Sequence, residues 1–320
     1  MKKNIIKDTG LEVTELSFGT SSLGSMPDTY GYEVPDQRAQ ETLKRFFQGP
    51  VNLLDTSRNY AMGESEKRIG IAIKENGGWP ENYVLSTKID RNMETLVLDK
   101  KRTRESIEES LKTLNVDSVD VLFLHDPEYV KDINDVTKKD GALDELFKIK
   151  EEGLAKAVGL AMGRIDIMFP ILRNWDFDVI INHNRYTLLN READEMYSYA
   201  YNKNTSIFNA APYAGGVLAK GPSNFKKITY QNVSEEKLAP AREIERVCKK
   251  YNVEMGAAAL QFSMKDKRIT STICGVTSVQ SIEKNLAWAK TDIPEEFWNE
   301  VLKLPFSTKD PESERVYTAC

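Results

Sequence analysis

A chain of 320 residues is long enough to bury roughly three quarters of its unfolded surface, which suits one large barrel or two modest domains. Forty-four Lys and Arg against forty-nine Asp and Glu give a net charge of −5, and without a basic block to neutralise a run of phosphates, nucleic acid is not an expected partner. The opening MKKNIIKDTGLEV lacks the apolar core of a signal peptide, and no later run approaches the roughly 18 apolar residues of a membrane span, so a soluble, cytoplasmic protein with no membrane partner is expected.

Strand-like apolar runs alternate with amphipathic helical stretches, the pattern of βαβ units feeding a parallel sheet. Residues 3–13 read as a short hairpin around Asp8-Thr9-Gly10, placed to plug the bottom of a barrel. Residues 16–19 form the first strand, followed by a helix over 36–48. The second strand, 51–55, leads into a helix over 65–75, and the third, 83–88, into one over 101–114. Residues 119–125, 155–160, 179–181 and 206–211 are strands four to seven. Helices over 142–151, 166–173 and 192–202 follow the first three of these. After the seventh strand the helical pattern is doubled, 235–250 and 256–265. Residues 269–274 are the eighth strand and 278–289 its helix. A further helix spans 295–302, and the polar tail beyond it reads as a cover over the substrate or a loose end. Eight strand-helix pairs without a linker predict one domain over 1–320, an α/β fold of the (β/α)8 TIM-barrel type with an N-terminal hairpin and an extra C-terminal helix. Cys248, Cys274 and Cys320 form no CxxC pair and read as reduced thiols, and two histidines, His125 and His183, argue against a His-based metal site.

Three of these strands stop on a titratable side chain: Asp55, Lys88 and His125, with Tyr60 five residues beyond the aspartate. A barrel carries its chemistry at the C-terminal rim of its strands, so the four are expected in one polar site. A tyrosine hydroxyl, with an ordinary pKa near ~10, needs help to act as an acid at neutral pH. Lys88 offers a cation that favours the phenolate, Asp55 holds the ammonium, and His125 donates a hydrogen bond to a carbonyl oxygen or passes on a proton. Each alone has a commoner use: Asp55 as a cap, Lys88 in solvent, His125 as a hydrogen-bonded wall. Their coincidence at one rim favours chemistry. No serine or cysteine in this set has a paired base, as a nucleophilic hydrolase requires, and carbonyl–alcohol interconversion draws its hydride from a cofactor.

Asp55-Thr-Ser-Arg-Asn-Tyr60 followed by Gly63-Glu-Ser-Glu66, then Ser86-Thr-Lys88 and Leu124-His125, resembles the aldo-keto reductases, and the resemblance runs from Thr9-Gly10-Leu11 to Asn285-Leu286. It implies a TIM barrel that binds NAD(H) or NADP(H) without a Rossmann fingerprint. It further implies Tyr60 as general acid/base, Lys88 as the partner that lowers its pKa, Asp55 supporting the lysine, and His125 orienting the carbonyl. The stretches 178–189 and 209–219 are similar to the branch containing L-fucose, D-threo-aldose and L-galactose 1-dehydrogenases, which oxidise a sugar's anomeric carbon to a lactone. The chain departs from the family pattern in three places. The Ser-Asn pair that holds the nicotinamide carboxamide stands as Ala161-Met162, the usual glutamine as His183, and the stacking aromatic as Ala210. His183 with Asn182 or Asn184 is the candidate replacement; the alternative is that these residues only satisfy the strand end.

The cofactor contacts implied are Gly19, Thr20, Asp55 and His183, then Ala211, Pro212, Gly216 and Leu218 along the pyrophosphate, where Gly215 and Gly216 keep side chains out of its path. Gly275, Thr277, Ser281 and Asn285 complete the set at the last helix, for which Ser278 is a candidate N-cap. Gly275, Thr277 and Ser281 stand where a 2′-phosphate is commonly met by a basic residue. With only Lys284 nearby, and Lys220 on the loop after the seventh strand, NAD(H) is expected to serve at least as well as NADP(H). Met26, Tyr30, Tyr32, Tyr129 and Tyr213 are expected around the mouth. The expected function is oxidoreduction of an aldose or similar small polar aldehyde. The alternatives are a broad-specificity aldehyde or ketone reductase and a non-catalytic, cofactor-sensing barrel.

Overall fold

In the computed structural model, which describes residues 1–313, the alternating pattern resolves into parallel strands joined by helices. The chain opens with a hairpin of β1 (Lys3–Ile5) and β2 (Glu12–Thr14). There follow β3 (Leu16–Gly19), β4 (Leu53–Asp55), β5 (Val84–Ile89), β6 (Val119–His125), β7 (Ala155–Met162), β8 (Val179–His183) and β9 (Ser206–Ala210). A two-residue hairpin, β10 (Lys227–Ile228) with β11 (Gln231–Asn232), precedes β12 (Ser271–Gly275). β3 to β9 and β12 pair in parallel and close, β12 lying between β9 and β3, so the expected eight-stranded TIM barrel is present. Register brings the strand ends level: Gly275 pairs with Gly19, Gly19 with Asp55, His125 with Ala161, and His183 with Ala210.

Period-two alternation along each strand sorts side chains into two cores. Val121 and Phe123 of β6 point into the barrel with Leu53, Val84, Val179 and Phe208, whereas Leu122 and Leu124 face the helices. The barrel is therefore filled. Gly159 is required for that filling: a Cβ there would stand 2.1 Å from the Val179 carbonyl oxygen and 2.6 Å from the Phe123 ring. From below, Ile6 and Val13 of the N-terminal hairpin join the same inner cluster, so the hairpin does close the barrel floor. Asn52 pins it there, donating to the Glu12 carbonyl at 2.8 Å. Helix Asp36–Phe47 buries Ala39, Leu43 and Phe46 at helical spacing, and helix Lys100–Leu114 starts on Asp99, whose Oδ1 accepts from the Arg102 amide at 2.8 Å. The doubled helices after β9 are Glu235–Lys250 and Met255–Met264, and the extra C-terminal helix is Glu295–Val301.

The tail behaves as a strap as far as it is described. Ser307 accepts from the Arg191 amide and donates to the Leu189 carbonyl, and Asn190 donates to the Lys309 carbonyl at 2.8 Å. Asp310, at 2.5 Å, and Glu312 then both bind the Arg185 guanidinium, whose side chain is 1% exposed. Residues 314–320, with Cys320, lie outside the described residues. Glu312→Ala takes the most buried carboxylate from a buried cation, Arg185, and leaves it Asp310, the His183 carbonyl and Glu192 at 3.9 Å, so a loss of about 2–3 kcal/mol is expected. Urea unfolding of the variant measures it, and a change below about 0.5 kcal/mol, the range of ordinary surface substitutions, would show that the strap does not carry this part of the rim.

Candidate active site

β4 ends on Asp55 and β5 carries Lys88 beside it, so two buried charges, 3% and 2% exposed, meet by strand adjacency alone. Lys88 Nζ donates to Asp55 Oδ2 at 2.6 Å, to the Thr56 carbonyl at 2.6 Å and to the Tyr60 hydroxyl at 3.1 Å. Asp55 Oδ1 accepts from Ser86 Oγ at 2.9 Å. Tyr60 opens a 3-10 turn whose next residues, Ala61 and Met62, take left-handed φ of 51° and 54°. His125 closes β6 and lies edge-on to the Tyr60 ring at 5.8 Å. The four predicted rim residues thus form one cluster on the wall of a cavity of about 510 Å³.

The Lys88 ammonium, donating to the Tyr60 hydroxyl at 3.1 Å, favours the phenolate as the resemblance implies, but it acts against burial. Burial first, then the charges of Asp55, Asp126 and Asp90 and the nearby Tyr30, hold the Tyr60 hydroxyl well above the usual phenol range. Asp55 lies closer to the Lys88 ammonium than the phenol does and offsets much of its field. The phenol is therefore held protonated, the form that donates. For His125, burial alone would lower the pKa, but the Asp126 and Asp90 charges and the Asp90 hydrogen bond outweigh it and leave it raised.

Of the residues implied for the cofactor, Gly19, Asp55, His183, Ala211, Gly216, Gly275, Thr277, Ser281 and Asn285 line this cavity. Thr20, Pro212 and Leu218 do not. Thr20 is buried and donates to the Asp55 carbonyl at 3.0 Å, Leu218 belongs to the outer core, and Pro212 is buried. Asn182 donates to the Met162 and Gly163 carbonyls and Asn184 lies off the cavity wall, leaving His183 as the polar group of the trio on that wall. Ser278 does cap helix Val279–Lys290, in a capping box with Ser281, whose Oγ accepts from the Thr277 and Ser278 amides. Gly215 lines the cavity and its absent side chain also serves the fold: a Cβ would lie 2.7 Å from the Tyr230 amide nitrogen, so it makes room for the β10–β11 turn. Gly216, with φ of 118°, also faces the cavity. Met26, Tyr30, Tyr32 and Tyr213 reach the wall as expected; Tyr129 is not among the lining residues.

Sequence reasoning missed Asp90, Asp126, Tyr230 and Trp288. Asp90 follows Lys88 by two residues, the spacing that places side chains on one face of an extended chain, and that signal was available. An elongated cavity running from the Tyr60 hydroxyl past glycine backbone to Ser281 and Asn285, with a buried Asp126 Oδ1 unpartnered among the described residues, fits an extended dinucleotide beside a polar substrate.

A closed parallel barrel with a buried Asp–Lys–Tyr chain and a histidine at its C-terminal rim defines an acid-base oxidoreductase site built for a carbonyl. The chain belongs to the aldo/keto reductase family, whose pattern matches residues 15–304. It is 31% identical to L-galactose dehydrogenase of Arabidopsis thaliana, over 88% of this chain and 85% of that protein. It is 27% identical to D-threo-aldose 1-dehydrogenase of a Pseudomonas species, over 91% and 94%. An aldo-keto reductase of Bacillus halodurans, solved in its holo form, shares the fold with a TM-score of 0.80 at 21% identity, over 99% of this chain and all of that one. The chain is accordingly an NAD(P)-dependent oxidoreductase that interconverts a carbonyl and an alcohol. Among the described residues, no helix is long and apolar enough to cross a membrane, and no group of three or more potential ligands is arranged for a metal ion. Cys248 and Cys274 are free and buried, and burial pushes both thiols up to about 12.

Proposed function

We propose that the protein is a cytoplasmic aldose 1-dehydrogenase, working as one unit over residues 1–320 and exchanging hydride between a sugar's anomeric carbon and the cofactor. The observation that carries this is the Lys88 ammonium bridging Asp55 and the Tyr60 hydroxyl on the cavity wall. Bound NAD(P) supplies the hydride chemistry. Tyr60 gives its proton to the carbonyl oxygen in reduction and takes it back in oxidation, Lys88 and Asp55 hold the tyrosine in place, and His125 orients the oxygen. His183 would meet the nicotinamide carboxamide, Ala211 and Gly216 with Gly275 the pyrophosphate, and Thr277, Ser281 and Asn285 the adenosine end. The names of the two relatives support a sugar. So do Ser21, Asn59 and Asp126, which add hydrogen-bonding groups to the same wall and suit a polyhydroxylated substrate. Absorbance of the reduced cofactor, followed in both directions with aldoses and with simple aldehydes, tests the reading. Turnover confined to apolar aldehydes would replace it with the broad-specificity reductase.

NAD(H) is expected to serve at least as well as NADP(H). Lys284 Nζ lies 4.5 Å from the Trp288 ring centre, a contact that competes with a phosphate for the ammonium, although Lys284, Lys220 and Lys227 all line the cavity. Arg38 does reach the groove at Thr277, Ser278 and Gln280, but Glu41 lines the same groove and opposes a dianion. Comparing kcat/KM for both cofactors with one substrate checks this. A preference for NADP(H) beyond about tenfold, roughly 1.4 kcal/mol, would show that Arg38 or a lysine binds the 2′-phosphate after all.

A further inference from the structure

We propose that Asp90 is a positioning residue for the reaction: its carboxylate sets the His125 ring with Nδ1–H turned inward and Nε2–H presented to the cavity, and ties that ring to the turn carrying Tyr60. The inference rests on the functional reading above and goes one residue beyond it.

Asp90 is 2% exposed and its two oxygens are divided between the two sides of the site. Oδ1 lies 2.7 Å from His125 Nδ1. Oδ2 accepts from Ser57 Oγ at 2.5 Å and from the Asn59 amide at 2.8 Å, and Asn59 immediately precedes Tyr60. Its own backbone is clamped: the Asp90 amide donates to Ser106 Oγ at 3.0 Å, and Arg102 Nε donates to the Asp90 carbonyl at 3.1 Å. One carboxylate thus orients donor and acid together. A carboxylate accepts only, so the Nδ1 facing it must carry a proton, which decides the ring's orientation; Nε2 donates to the substrate oxygen while the ring is the doubly protonated imidazolium, the form that the Asp90 charge favours. Ser57 Oγ, 3.2 Å from the same Nδ1, cannot impose this, because a hydroxyl donates as readily as it accepts.

The charged and titratable groups facing His125 are Asp90 behind it, Asp126 with Oδ2 3.6 Å from Nε2, and Lys88, Tyr60 and His183 across the cavity. Of these, Asp90 is the buried anion in direct contact with the ring. Burial alone would raise the Asp90 pKa; the His125 charge, with the bonds from His125, Ser57 and Asn59, outweighs it and leaves the carboxyl lowered. Throughout, His125 keeps its proton while Tyr60 transfers its own.

The chain has two histidines, so ring resonances of the whole protein are assigned with one further variant, His125→Asn. In the wild type, ¹⁵N-detected spectra should show His125 protonated on Nδ1 and titrating above the ordinary ~6.5. In Asp90→Asn, which keeps the shape and removes the charge, the titration should fall by about one unit or more, tenfold in proton affinity. The upper limb of kcat/KM for reduction should move to lower pH with it, while the cofactor's Kd stays within about twofold. An unchanged pH limb in a folded Asp90→Asn overturns the proposal. So does a wild-type ring bare at Nδ1, a measurement that stands even if the variant does not fold. Tyr60→Phe, run alongside, separates the two readings: retained turnover there sinks the functional assignment, whereas a dead Tyr60→Phe with an indifferent Asp90→Asn sinks this one alone.

Discussion

Tyr60→Phe is expected to lower turnover by about a hundredfold or more while cofactor binding persists. The substitution removes one oxygen and keeps the ring that packs edge-on against His125 at 5.8 Å and lies 4.7 Å from Lys88 Nζ. What is lost is the proton carrier, and a hundredfold corresponds to roughly 2.7 kcal/mol of barrier. Steady-state kinetics with an aldose, beside fluorescence titration of the reduced cofactor, separates the two effects. A variant with near-normal kcat would remove Tyr60 from the mechanism and point to His125 as the acid.

Lys88→Met should damage both stability and chemistry. Without the ammonium, Asp55 becomes a buried carboxylate, 3% exposed, with Ser86 Oγ as its remaining side-chain donor, and breaking a buried pair in this way costs about 3–5 kcal/mol. For the chemistry, the sign follows from charge. Burial, together with Asp55, Tyr30, Asp126 and Asp90, already raises the Tyr60 pKa, and deleting the Lys88 ammonium that donates to its hydroxyl raises it further. Oxidation requires Tyr60 as a base, so the rising limb of its pH profile should move to higher pH. Reduction, which uses the protonated phenol, should keep its profile on the acid side. Denaturant unfolding with pH–rate profiles in both directions measures this, and an unmoved oxidation limb in a folded variant would leave Lys88 a structural cation only.

Much of this was legible before any coordinates, because hydrophobic period and strand length are local properties. Runs such as Val121-Leu122-Phe123-Leu124 alternate between the two cores, and helices such as Ala142–Glu151 carry their apolar face at helical spacing, so the eight-fold alternation named the barrel. Asp55, Lys88 and His125 could be read as a set because a parallel barrel places the ends of neighbouring strands side by side. Strand ends and the start of the last helix bring Gly19, Gly275 and Ser281 beside the cavity by backbone position alone. Thr20, which donates to the Asp55 carbonyl, and Leu218, packed in the outer core, stand off the cavity wall because those contacts decide their orientation.

By itself, then, the sequence determined the fold class, the order of its elements, the family and the four rim residues, all of which follow from short-range pattern and from strand adjacency. The tertiary structure alone decided three things. It joined Glu312 to Arg185 across 127 residues of sequence, turning an ambiguous tail into a strap. It split Asp90 between His125 and the Tyr60 turn. It also set burial and the surrounding carboxylates against the Lys88 ammonium at the Tyr60 hydroxyl, since desolvation and the balance of several charges are sums over neighbours that only the folded packing brings together.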